Sequence, residues 1–136
     1  MIEFNYELDF KIDDEKSFRN WISSVVEDHD CTLGELNFIF CDDAYLLKLN
    51  VEFLEHDTLT DIISFDYTIG KLIGGDVFIS VERVRDNAAN LDHSFLDELK
   101  RVMIHGVLHY IGFNDKNYKD KVEMRFQENA SFLLFK

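Results

Sequence analysis

Proline is absent from this 136-residue chain, and glycine is scarce, at six residues. No linker, internal repeat or low-complexity tract breaks the sequence, so one domain spanning residues 1–136 is expected. There are only two cysteines, Cys31 and Cys41, and they are not spaced as a ligand pair. Cys41 ends an apolar run (Leu36, Phe38, Ile39, Phe40), where a buried free thiol is the ordinary expectation. Nothing indicates the oxidising compartment that a disulfide requires. The start, Met1-Ile2-Glu3-Phe4-Asn5-Tyr6-Glu7, lacks a basic segment followed by an apolar stretch, so no signal peptide is expected. Long hydrophobic runs are missing as well. The stretch from Val102 to Asn114 carries no acidic or basic residue, but it is too short to cross a bilayer and contains two histidines. A cytoplasmic protein without a membrane partner is the expectation.

Positive charge is in short supply, with 14 Lys+Arg against 27 Asp+Glu and a net charge of −13. The deficit is lopsided. Residues 1–61 hold 16 acidic and 4 basic residues, and residues 62–136 hold 11 and 10. An acidic protein is a poor non-specific nucleic-acid binder. The second half nevertheless gathers Lys100, Arg101, Lys116, Lys119, Lys121 and Arg125 around a histidine motif. A basic rim of that kind attracts phosphate; the same residues also suit ordinary solvated helix faces. Hydrophobic residues make up 46% of the chain, 13 of them Phe, which supplies a core and excludes disorder.

Periodicity predicts an α+β domain with a small mixed sheet of about four strands and about five helices. Strands are expected over 2–8, 35–40, 61–67 and 76–80, with Gly74-Gly75 breaking the chain before the last. Asp13 or Asp14 is expected to cap a helix to about Glu27, with Phe18, Trp21, Ile22, Val25 and Val26 inward. Asp42 or Asp43 caps a short helix through Leu49. A helix is expected over 82–90. Ser94 and Asp97 form a capping box for one running to about Ile111. A last helix from Tyr118 carries Val122, Phe126, Ala130 and Leu133 on one apolar stripe.

The chemistry lies in His105-Gly106-Val107-Leu108-His109-Tyr110-Ile111-Gly112-Phe113-Asn114-Asp115. Residues four apart share a helix face, so His105 and His109 can present two imidazoles to one ion. Gly112 suits the left-handed turn that ends a helix, after which Asp115 can swing back. Two imidazoles and a carboxylate suit Zn²⁺ and leave a position open for water. Ni²⁺ prefers similar ligands. A histidine pair on a half-buried helix face also serves plain packing; the glycine and the carboxylate favour metal. Gly106 occupies the place of the general-base Glu in H-E-x-x-H, which counts against peptide hydrolysis by that route.

These residues resemble the H-G-x-L-H-x-x-G-[YF]-D-H signature of the YbeY-type rRNA maturation factors, a family of single-strand-specific, metal-dependent endoribonucleases. Upstream, Leu49-Asn50 resembles the family's LN pair. Thr60-Asp61-Ile62-Ile63-Ser64-Phe65 resembles T-[DN]-V-L-S-F, and Gly75-Asp76-Val77-Phe78-Ile79-Ser80 resembles G-D-[IV]-x-I-S. The resemblance implies His105 and His109 as zinc ligands at the C-terminal end of a central helix. Asp115 stands where the family has a third His, and Asn114 where it has Asp. Leu54 stands where the family has an Arg near the metal. His56 follows in that loop, and Arg101, one turn before His105, is a candidate substitute. Single-stranded rRNA and the small ribosomal subunit are the implied partners, with no DNA, and the implied roles are rRNA maturation and ribosome quality control. Tyr110, Phe113 and Tyr118 are candidates for stacking on bases. Two other readings stay open: a ribosome-assembly factor whose metal is structural, and a metallohydrolase of another substrate class. His29 and His93 have no partner at ligand spacing.

Overall fold

Alternation of apolar and polar residues builds each strand and decides which helices cover each face of the sheet. A computed structural model describes residues 1–55 and 58–136. In chain order the elements are β1 (Ile2–Tyr6), α1 (Glu15–Asp28), β2 (Thr32–Cys41), α2 (Asp43–Leu54), β3 (Ile62–Asp66), β4 (Leu72–Ser80), α3 (Val81–Asn90), α4 (Phe95–Ile111) and α5 (Tyr118–Phe132). The four strands and five helices form the expected α+β fold. Strand order is β1-β2-β4-β3, with β1, β2 and β4 parallel and β3 antiparallel at one edge. His56, a residue singled out from the sequence, lies outside the described residues. Among the described residues, no helix is long and apolar enough to cross a membrane.

Leu36, Phe38 and Phe40 of β2, with Val77 and Ile79 of β4, join the core shared with α1 and α4. The intervening Phe78, with Ile63 of β3, turns to the other face and meets Leu46 and Leu49 of α2. The helix starts follow local chemistry. The side chains of Asp14, Asp42 and Ser94 accept the N–H groups of Ser17, Tyr45 and Asp97 at the heads of α1, α2 and α4. Trp21 of α1 donates its indole N–H to the Ser131 carbonyl at 2.7 Å, tying the last helix to the core. Cys41 is buried, and burial pushes its thiol up to about 12, so it is an inert core residue. Cys31 is free as well.

Three expectations need correction. β1 stops at Tyr6, so Leu8 lies beyond it. β2 starts at Thr32 and β4 at Leu72, so Gly74-Gly75 lies inside a strand rather than before one. The reason is packing: a Cβ on Gly75 would lie 2.8 Å from the Tyr110 ring. Glycine lets that ring rest against the strand. The third correction concerns α5. Its buried residues are Met124, Glu128 and Ser131. Val122, Phe126 and Leu133 are 52%, 63% and 84% exposed, so the apolar stripe expected on this helix faces outward.

Candidate metal centre

Gly106 lets α4 lie close against the sheet. A Cβ there would come within 3.1 Å of Ile62 Cδ1 and 3.3 Å of Val77 Cγ1. A glutamate at this position would be driven into the sheet, so the missing Glu of the H-E-x-x-H pattern follows from packing.

The neighbouring face of α4 carries the histidines. His105 and His109 stand one turn apart with rings nearly perpendicular, at 82°, and Nε2 atoms 3.0 Å apart. Gly112, at φ +125°, ends the helix; its N–H donates to the Leu108 and His109 carbonyls, both at 3.1 Å. The chain then turns back. Asp115 Oδ2 comes 3.3 Å from His105 Nε2 and 3.4 Å from His109 Nε2. These three side chains form a cluster able to hold a metal ion. Ligand atoms held about 2.0–2.2 Å from a tetrahedral zinc lie about 3.3–3.6 Å from one another. Two edges of the triangle, at 3.3 and 3.4 Å, have that size, and the edge between the imidazoles, at 3.0 Å, is slightly shorter. Asn114 is exposed, and the carboxylate that closes the triangle is that of Asp115.

The sequence reading missed Glu128. This α5 carboxylate is buried and accepts the Nδ1 proton of His105 at 2.7 Å. The hydrogen bond places the ring proton on Nδ1 and turns the Nε2 lone pair toward Asp115 and His109. Arg101 donates to the other Glu128 oxygen at 2.8 Å and to Asn129 at 3.0 Å, with its guanidinium over the Phe132 ring. Arg101 was singled out as a candidate substitute for the family's Arg near the metal; the structure places it beside the site but engages its guanidinium with Glu128. Leu54 ends α2 and is not among the residues that line the cleft. The electrostatics agree with this chain of contacts. Burial opposes the charged form of Glu128, yet His105 and Arg101 outweigh it and hold the carboxyl below its usual range. Burial likewise opposes an imidazolium at His105, but Glu128, Asp115 and Asp61 together raise its pKa. Glu128→Gln keeps the shape and loses the charge. It is expected to weaken metal affinity by about 10–100-fold, read by competition with a chromogenic chelator.

The centre opens on a cleft of about 370 Å³ walled by α4, α5 and the start of β3. Lys121 and Arg125 stand at its edge, and Asp61 lies in its wall. Burial raises the Asp61 carboxyl above its ordinary pKa. For an acid this means stability that is complete at low pH and lost as pH rises through the raised value. Asp61→Asn is therefore expected to raise the melting temperature of the metal-free protein at pH 7. The gain should vanish at pH 3, where both side chains are neutral. Of the aromatic candidates, Tyr110 is core, donating its hydroxyl to the Phe65 and Asp76 carbonyls at 3.1 and 3.0 Å. Phe113 is partly buried against the core and the His29 ring. Tyr118 is 84% exposed.

Comparison with known proteins decides the family. The family described as Endoribonuclease YbeY matches residues 3–135. The chain belongs to the endoribonuclease YbeY family. A relative of that name from Flavobacterium johnsoniae is 55% identical over 135 residues, covering 99% of this chain and 97% of the relative. Another from Cytophaga hutchinsonii is 44% identical, with 98% and 94% covered. A solution structure from Thermotoga maritima shares the fold at a TM-score of 0.68 and 22% identity, covering 99% of this chain and 89% of that one.

Proposed function

We propose that this member of the endoribonuclease YbeY family cuts single-stranded ribosomal RNA during ribosome maturation, with one divalent ion, most simply zinc, on His105, His109 and Asp115. That the chain is an RNA-cleaving hydrolase follows from its family. The observation that supports the metal is the triangle of two imidazole nitrogens and one carboxylate oxygen, sized for a tetrahedral ion and open to a cleft. An ion bound there supplies Lewis acidity toward a phosphoryl oxygen or an activated water. The rest is done by the chain itself. Glu128 holds His105 in its ligating tautomer, and Arg101 holds Glu128. Lys121 and Arg125 give the cleft edge the positive charge that a phosphate backbone needs on an otherwise acidic protein. The cytoplasm and the small ribosomal subunit are the setting this substrate implies.

One observation favours the rival reading of an assembly factor with a structural metal. Leu54 supplies no guanidinium, and that of Arg101 is engaged elsewhere. Elemental analysis followed by incubation with single-stranded RNA and generic peptides separates the readings. About one ion per chain with RNA cut and peptides intact supports the nuclease. A tightly held ion with no RNA cleavage supports the assembly factor. No ion after reconstitution removes both.

A further inference from the structure

Among the described residues, the outward face of α5 has no partner, although it is the most apolar part of that helix. Tyr118, Val122 and Phe126 follow one another at four-residue steps, which stacks them along one face over two turns. Their exposures are 84%, 52% and 63%. A helix that has already buried Met124 and Glu128 gains nothing for folding from two bare rings and a valine on its solvent side. An exposed apolar stripe of this kind marks a surface where another molecule docks.

The charges beside the stripe say what. Around the helix, Lys121 and Arg125 fall between the buried ridge and the apolar stripe, and both line the cleft of the metal centre. Lys119 flanks the stripe on its far side. Arg125 approaches Glu128 only at 3.8 Å and is largely exposed, and among the described residues Lys121 has no ion pair. Moving outward from the metal centre, the surface is first cationic and then aromatic. That order matches a single strand of nucleic acid, which carries its charge on one edge and flat apolar faces on the other. A second copy of this chain fits poorly. Two-fold pairing across the stripe would set the same flanking cations against one another.

We propose that the outer face of α5 is a stacking platform for the single-stranded RNA that enters the cleft. Lys121 and Arg125 hold the phosphates next to the metal centre, and the rings of Tyr118 and Phe126 take the neighbouring bases. The platform requires unpaired bases, because in a duplex the ring faces are already stacked on each other. It thereby selects single strands without reading their sequence. The inference rests on the nuclease reading for its substrate, but the two fail separately.

The test uses the metal-loaded protein and a fluorescent single-stranded RNA, measuring binding by anisotropy and cleavage as KM and kcat. Phe126→Ala is expected to weaken binding and raise KM at least about fivefold, the worth of one modest base–ring stack. Phe126→Trp should restore both, and Phe126→Leu should not, since leucine is apolar without a ring face. Tyr118→Ala should act in the same direction. Each variant changes an exposed side chain, and an unchanged melting temperature verifies the fold. Unchanged binding in Phe126→Ala, with RNA still cut, overturns the platform and leaves the nuclease. Leucine serving as well as tryptophan also overturns it and assigns the stripe to a protein partner. Ring-dependent binding without any cleavage keeps the platform and removes the nuclease.

Discussion

His109→Ala is expected to lose the metal and, with it, RNA cleavage. Binding energies of about 10–16 kcal/mol for four-ligand zinc sites suggest about 3 kcal/mol per ligand, or at least about 100-fold in affinity for the loss of one. His109 is the cleanest ligand to remove. The contacts of its Nε2 are with the other two members of the triangle, so its loss leaves no buried group unpaired. His105→Ala is less clean, because Glu128 would keep Arg101 but lose the imidazole. Thermal melting with and without zinc gives a readout independent of RNA. A ligand at 100 times its Kd stabilises the folded state by about 2.7 kcal/mol, so zinc should raise the wild-type melting temperature clearly. It should leave that of His109→Ala where it was. Asp115→Ala should behave like His109→Ala, and Asn114→Ala like the wild type. An equal loss in Asn114→Ala would show that the two side chains share the third ligand's role.

Gly75→Ala is expected to be the most damaging single-methyl change in the chain, although Gly75 lies outside the metal triangle. The new Cβ would collide with the Phe65 carbonyl oxygen and stand 2.8 Å from the Tyr110 ring, on a backbone at φ +156°. The Phe65 oxygen is part of the β3–β4 ladder region and also accepts the Tyr110 hydroxyl. The ring must then move, which strands a buried hydroxyl at about 1–3 kcal/mol and adds overpacking of about 1–3 kcal/mol. A loss of about 2–6 kcal/mol is a large share of the roughly 5–15 kcal/mol that holds a typical domain together. Urea denaturation should show a much lower midpoint at an unchanged slope. Combining Gly75→Ala with Tyr110→Phe should cost less than the two changes summed, because one hydroxyl is lost in both.

The features legible in the sequence were those that local geometry enforces. Two imidazoles on one face, at His105 and His109, need only a helix, since four residues make about one turn. Gly112 needs only its freedom at positive φ to end that helix and bring Asp115 back. The caps at Asp14, Asp42 and Ser94 act within three residues of themselves. Alternation in β2 and β4 follows from the pleat of a strand.

Tertiary structure alone decided the rest. Glu128 lies 23 residues beyond His105 on another helix, and its spacing carries no signal until α4 and α5 pack together. Arg101 shares a helix face with His105, as periodicity says, but only that packing turns its guanidinium to Glu128 and Asn129. Gly74-Gly75 has the composition of a break and the position of a strand, because the partner that requires glycine there, Tyr110, is 35 residues away. The stripe on α5 was visible as a period, yet a period reports only that one helix face is apolar. Whether the protein's own core or another molecule covers that face depends on which side of the helix carries the longer-range contacts. Here Met124 and Glu128 won the inside.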